Sequence, residues 1–353
     1  MRSFAGLLLV LLLLPALARG GDPPRPCWPV DNPGFTRQGF QPGSKERLLS
    51  GVFGPRLKWG DARYDHHEGF DFHSFFDPAR PDGLVPVRAI LPGVVSEVID
   101  PPDPEQLETG RKVVVTHDAT WADYGGPAAW GKVKSGYLHL SAIGVKPGQR
   151  LEQGQALGAA GESGHTTVVH LHLNLYRAGE RGRDVNVNPA RVFSPGLFPG
   201  LVARLEARAV EVEWLERDAD AGTALVRVLL PWNAWTLDGV TLGVDGDEHR
   251  ALSFEQVSAE QRKRRDQGDR DLFPDLRLFP LRYNGGGSLE RLNAEVPPGW
   301  PAARRPVAGK GVRLGFDLLA SAVPARARRF TLTLTGVAGE RVSADCRGFL
   351  GGR

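Results

Sequence analysis

Short β-type runs broken by glycine and proline constrain this chain more than any other feature of it. With 44 glycines and 28 prolines among 353 residues, turns recur too often for long helices, because both residues punctuate regular structure. Between Leu48 and Phe193, Val85–Ile90, Gly93–Ile99, Lys112–His117, Ser135–Leu140 and Val168–Tyr176 are each of strand length and separated by turn residues. Helical periodicity is nearly absent there. The expectation is a mostly β fold with antiparallel strands.

The breaker cluster Ser194-Pro-Gly-Leu-Phe-Pro-Gly200 reads as a domain boundary. Beyond it, Ala209–Glu216 puts Val210, Val212 and Trp214 on one face, Thr223–Leu230 is β-rich, and Phe330–Thr335 alternates Phe330, Leu332 and Leu334. These runs predict a second antiparallel β-domain of sandwich type. One helix is expected, starting at Ser258 with Gln261 as its capping-box partner and a charged, solvated stretch Arg262–Asp266 behind it. The expected organisation is a signal peptide over 1–18, an arm rich in Pro, Gly and Arg over 19–48, the chemistry-bearing domain over 49–195, and a C-terminal β-rich accessory domain over 201–353.

Arg2, the apolar run Phe4–Leu14, Pro15 and the small-residue pattern Ala16-Leu17-Ala18 form a secretory signal with cleavage after Ala18. The run is shorter than the roughly 18 residues that a spanning helix needs, so the expectation is an exported protein, periplasmic or extracellular. Cys27 follows Arg25 and Pro26, not the small and aliphatic residues that lipoprotein processing requires. In an oxidising compartment Cys27 and Cys346 have two readings. They form one bridge tying the arm to the C-terminal tail, worth about 5 kcal/mol in the loop-entropy model, or they stay two unpaired thiols. Two cysteines exclude a disulfide scaffold and a four-cysteine zinc finger. A net charge of +3 gives no basic face for nucleic acid.

Histidine is distributed very unevenly: of nine, eight lie between His66 and His172, and only His249 lies beyond. Three segments carry most of them: His67-Glu-Gly-Phe-Asp71, Gly136-Tyr-Leu-His139-Leu-Ser, and His170-Leu-His172-Leu-Asn174. In an extended strand, His170 and His172 share one face and Leu171 and Leu173 the other. The same parity groups His67, Gly69, Asp71 and His73, with Phe70 and Phe72 turned to the core. Two neutral imidazoles and a carboxylate suit zinc, whose catalytic sites use three protein ligands and keep the fourth position for water. A histidine off the metal can then orient or deprotonate that water, or stabilise an oxyanion.

In order along the chain, these segments resemble the lysostaphin-like and β-lytic zinc metallopeptidases, which cleave peptide bonds in the peptide part of bacterial peptidoglycan. The resemblance covers roughly Leu49 to Phe193. It rests on Phe53-Gly-Pro-Arg56, His67-Glu-Gly-Phe-Asp71, Tyr137-Leu-His139-Leu-Ser, Gly148 through Gly158, Gly161-Glu-Ser-Gly164, His170-Leu-His172 and Asn188-Pro189. It implies an antiparallel β-sheet groove with one zinc ion on its floor. By that resemblance His67, Asp71 and His172 match the zinc ligands. His139 and His170 match the pair acting as general base and oxyanion stabiliser, with the division between them open.

Each remaining histidine also has a plainer role. His66 lies on the opposite strand face from His67, His73 has the right parity but no motif partner, His117 ends an apolar run, and His165 sits in a glycine-flanked loop. The sequence departs from the family pattern in an insert between His117 and Tyr137 that holds Trp121, Tyr124 and Trp130. That insert reads either as a packed loop or as an aromatic wall beside the groove. Asn174 follows the His-x-His on its own face, within reach of a ligand or of substrate.

The expected function is an exported zinc metalloendopeptidase acting on peptidoglycan cross-links, with a peptidoglycan peptide as partner. The competing readings are a silent scaffold of the same fold that activates a cell-wall amidase, and a secreted general protease. A silent relative is expected to have lost ligands, whereas His67, Asp71, His139, His170 and His172 are all present. For the C-terminal domain, a wall-binding module, a partner platform and a cover on the groove all stay open.

Overall fold

The computed structural model describes residues 23–30, 49–51, 53–58, 63–73, 84–100, 108–166, 169–193, 211–218, 220–230, 237–266, 276–281, 314–320 and 322–345. The expected signal segment, the Ser194–Gly200 boundary and Cys346 lie outside them. In the first half the strands are β1 Leu49–Gly51, β2 Gly54–Lys58, β3 Arg63–His67, β4 Phe70–His73, β5 Pro86–Arg88, β6 Gly93–Ile99, β7 Arg111–Thr120, β8 Lys132–Leu140, β9 Ala142–Ile143, β10 Arg150–Leu151, β11 Ala156–Ala159, β12 His170–Ala178 and β13 Asp184–Val187. The second half holds β14 Glu211–Asp218, β15 Thr223–Leu230, β16 Leu237–Val244, β17 Asp247–Ser253, the helix α1 Phe254–Asp266, β18 Leu276–Leu281, β19 Leu314–Ala320, β20 Phe330–Gly336 and β21 Arg341–Asp345.

The fold is mostly β. The largest sheet runs in the order β1-β4-β12-β8-β7-β6-β10, with β13 paired to β12, and a small sheet β5-β11-β9 stands beside it. The second half forms two four-stranded sheets, β14-β15-β19-β18 and β17-β16-β20-β21. Every pairing among the described strands is antiparallel. Short strands with turn residues at their ends favour this topology, because hairpins close locally and need no crossover.

β12 lies between β4 and β8, and His170 through Tyr176 are all buried. Leu171, Leu173 and Leu175 pack into the core with Val113, Val115, Tyr137 and Phe72, each such side chain stabilising the fold by roughly 1.5–3 kcal/mol. The opposite face, which bears the polar residues, is nearly as secluded. One hydrophobic core runs through both halves, from Val30 to Val342. The start of the arm docks as well: the Cys27 amide donates to the Ile90 carbonyl (2.9 Å), the Arg88 amide to the Pro29 carbonyl (2.8 Å), and Trp28 stacks on Phe193. The Cys27 sulfur sits 3.3 Å from the Ala89 carbonyl.

Local structure corrects one expectation and decides between two readings of another segment. The helix starts at Phe254, not at Ser258. Its start repeats the capping pattern five residues earlier, with Ser253 accepting from the Gln256 amide (3.5 Å), while Ser258 is an interior position. The insert after His117 is a packed loop and not a groove wall. Trp121 is fully buried and donates its indole N–H to the Tyr176 carbonyl (3.0 Å), Tyr124 donates to the Pro24 carbonyl (2.6 Å), and Trp130 lies under the guanidinium groups of Arg177 and Arg191.

His117 is structural. Its Nδ1 donates to the carbonyls of Leu91 (3.1 Å) and Pro92 (3.3 Å), and its Nε2 accepts from the Ser135 hydroxyl (2.7 Å), which joins β7, β8 and the turn before β6. Burial pushes its pKa down from 6.5 to about 4, against the opposing pull of the two carbonyls. A histidine depressed in the folded state stabilises the fold above the unfolded pKa, and that contribution is lost as pH falls toward the folded one. Between pH 6.5 and 4, wild type is therefore expected to lose about 3 kcal/mol through this group. His117→Gln should remove that part of the pH dependence in denaturant unfolding measured at pH 7 and pH 5.

Candidate metal centre

Strand register brings the predicted residues together. In the β4–β12 pairing Asp71 stands opposite His172 and His73 opposite His170. His67 ends β3, which pairs with β2 and not with the large sheet. The chain therefore breaks between His67 and Asp71, so two strands and the turn between them carry the pair, while Phe70 and Phe72 face the core as the parity expected. Gly69 makes the break possible: a Cβ there would stand 2.4 Å from both Asn174 Oδ1 and the Leu173 carbonyl, and 2.7 Å from His172 Nε2. No other residue fits that close approach.

Three ligand atoms meet at the centre. Asp71 Oδ1 lies 2.8 Å from His172 Nδ1 and 3.1 Å from His67 Nε2, and the two nitrogens are 3.0 Å apart. Donors bound at about 2.0–2.1 Å in a tetrahedron sit roughly 3.4 Å from one another, so only a small expansion separates this set from a zinc shell. Zinc suits the chemistry as well, two imidazoles and a carboxylate being its ordinary donors. His139 and His170 stand at the rim of the same cluster, and with His172 they make a second overlapping triad of converging nitrogens. The His170 Nε2 is 3.4 Å from Asp71 Oδ1. Burial alone would raise the Asp71 pKa, but the charge of His67 and the close approach of the His170, His172 and His67 imidazoles hold the carboxyl well below its usual range.

The hydrogen-bond partners fix which nitrogen faces the centre. His172 donates from Nε2 to Asn174 Oδ1, and Asn174 Nδ2 donates to the Tyr176 hydroxyl (3.1 Å). With its hydrogen on Nε2, His172 turns the lone pair of Nδ1 toward Asp71 and His67. His139 donates from Nδ1 to the Ser163 carbonyl (2.9 Å), leaving Nε2 unprotonated and facing the cluster. Its pKa is pushed down to about 3 by burial and by the neighbouring His172 and His170. The backbone of His139 has a φ of 62°, a strained value for a residue with a side chain, of the kind found at functional sites. Ser163 is itself held, accepting from the Arg111 amide (2.9 Å) and donating to the Leu140 carbonyl (2.7 Å). Thr166 places its hydroxyl 3.3 Å from His170 Nδ1.

All five predicted site residues thus meet in one place. Three other histidines have different surroundings. The His66 ring lies between Phe53 and Phe254, His117 bridges strands, and His165 is exposed. Asn174 touches a ligand candidate and not an open groove. Sequence reading missed the supporting roles of Tyr176, Ser163 and Thr166. The parity that pairs His170 with His172 extends to Asn174 and Tyr176 and was the available signal for those two.

Residues 66–189 match the model of peptidase family M23. Among curated proteins, the peptidoglycan DD-endopeptidase ShyA of Vibrio cholerae is 34% identical over 155 residues, which are 44% of this chain and 30% of ShyA. The glycyl-glycine endopeptidase ALE-1 of Staphylococcus capitis is 39% identical over 62 residues, 16% of this chain and 17% of that protein. A solved structure described as a zinc-containing peptidase from Vibrio cholerae aligns at 27% identity with a TM-score of 0.29, over 42% of this chain and 38% of that one. The matched stretches span less than a third of the curated relatives' own length.

Asn174→Leu removes the acceptor that orients His172. Zinc affinity, measured by competition with a chromophoric chelator, is expected to fall about 10- to 100-fold. Asn174→Asp keeps an acceptor and should retain most of it.

Proposed function

We propose, from the premise that residues 66–189 form a peptidase family M23 domain, that this chain is an exported zinc metalloendopeptidase hydrolysing peptide bonds in peptidoglycan cross-links. The observation that carries the reading is the convergence of His67 Nε2, Asp71 Oδ1 and His172 Nδ1 within 2.8–3.1 Å of one another, with His139 and His170 beside them. The names of ShyA and ALE-1, both endopeptidases, support the substrate class. The apolar run Phe4–Leu14 followed by Ala16-Leu17-Ala18 supports export.

His67, Asp71 and His172 would hold the ion. Zinc bound there would supply Lewis acidity, activating the attacking water and polarising a scissile carbonyl. His139 is the base: with Nδ1–H committed to the Ser163 carbonyl, its Nε2 accepts the proton of the attacking water as the oxygen adds to the carbonyl carbon. His170 is the oxyanion donor. With the Thr166 hydroxyl donating to Nδ1, Nε2 carries the hydrogen that meets the negative charge developing on the carbonyl oxygen. When the C–N bond breaks, His139 returns its proton to the leaving amine. The burial of the cluster strengthens each of these contacts by excluding water.

Asp71→Ala and His172→Ala are expected to lose stoichiometric zinc by elemental analysis. His139→Ala should keep the metal and lose about 10²- to 10⁴-fold in hydrolysis. Digestion of purified peptidoglycan followed by mass analysis is expected to show new peptide termini. Intact sacculi from zinc-loaded protein would overturn the enzyme reading in favour of a scaffold.

A further inference from the structure

Of the three strands that carry the proposed ligands, two, β3 with His67 and β12 with His172, are both gripped by one helix from the other half of the chain. α1 buries Phe254, Val257 and Ser258, residues at i, i+3 and i+4 on one face. Phe254 packs edge-on against His66 with ring centroids 5.8 Å apart, and Phe53 closes the other side of that imidazole at 5.0 Å. His66 immediately precedes His67. Gly54, which pairs with His67 in the β2–β3 ladder, has a φ of +122°, and a Cβ there would come within 3.0 Å of the Phe254 ring. One turn along, Ser258 donates to Glu68 Oε1 (3.2 Å) and receives the Asn186 side-chain amide (3.4 Å). Residues 66, 67 and 68 are thus backed by α1 on both sides of the ligand position.

The same helix reaches β12. Arg177, near the end of the strand that bears His170 and His172, donates from Nε to Glu255 Oε1 (2.6 Å), and its guanidinium lies 4.9 Å from the centre of the Trp130 ring. Arg191 ties the segment after β13 to the second half through the Val337 carbonyl (3.0 Å) and Asp238. β3 and β12 belong to different sheets, so no ladder between them sets the separation of His67 and His172. We propose that α1 sets it. The C-terminal half is then a brace for the metal centre, with Phe254, Glu255 and Ser258 as positioning residues that act on the ligands through His66, Arg177 and Glu68.

This inference rests on the assignment of His67, Asp71 and His172 as ligands, and the test separates the two. Zinc affinity is measured on the full chain by chelator competition, with zinc alone as the probe. Wild type is expected to bind one equivalent; no binding would sink the ligand assignment itself. Phe254→Ala is expected to weaken binding about 10-fold, the lower end of what loss of an indirect support costs, with Phe254→Leu as the milder variant if folding fails. Glu255→Gln combined with Ser258→Ala should weaken binding in the same direction. Val342→Ala, a core truncation in β21 of the same half, should lower the melting temperature without changing zinc affinity. Equal affinity in wild type, the Phe254 variants and the double variant would overturn the brace. So would a loss in Val342→Ala equal to theirs, because affinity would then follow global stability alone.

Discussion

Three atoms with lone pairs, two imidazole nitrogens and a carboxylate oxygen, are held about 3 Å apart in a secluded place. Such a cluster repels itself unless a cation or a shared proton lies within it. The surrounding architecture can be understood as the means of holding it. Asp71 and His172 are placed by the register of one antiparallel pair, and His67 arrives from a separate hairpin across a break that only glycine permits at position 69. A one-residue slip of β4 against β12 would turn Asp71 away and put Phe70 or Phe72 in its place.

Around that cluster, orientation is set from behind. The Asn174–Tyr176 pair fixes His172, the Ser163 carbonyl fixes His139, and the Thr166 hydroxyl lies against His170. The loop that supplies Ser163 and Thr166 is pinned to β7 and β8 through Arg111 and Leu140, so His139 and His170 share one support. The strained backbone of His139 is affordable because its amide also bonds the Thr109 carbonyl (3.1 Å). Rigidity of this kind keeps nitrogens aimed at the site before any substrate arrives.

The strand pattern was legible because period-2 alternation and Gly or Pro at the edges are local signals: Gly93–Ile99 and Thr223–Leu230 have the same limits in sequence and structure. Parity on β12 likewise placed His170 and His172 on one face. It could not locate the break between His67 and Asp71, because the change from hairpin to large sheet is set by close packing of Gly69 against Asn174, 105 residues away in sequence from Gly69 and invisible to a local window. The true helix start was missed because Ser253 and Ser258 offer similar capping patterns, and only the burial of Ser258 against Glu68 tells them apart. The aromatic insert was ambiguous for the same reason: whether Trp121 and Trp130 face a groove or a core depends on Tyr176 and Arg177, which lie some fifty residues away in sequence.

Anomalous diffraction from crystals of the zinc-loaded protein tests the central claim most directly. The account predicts one peak bonded at about 2.0–2.1 Å to His67 Nε2, Asp71 Oδ1 and His172 Nδ1, with His139 and His170 outside bonding distance. A peak bonded to His139 and His170 instead, with Asp71 unligated, would contradict it.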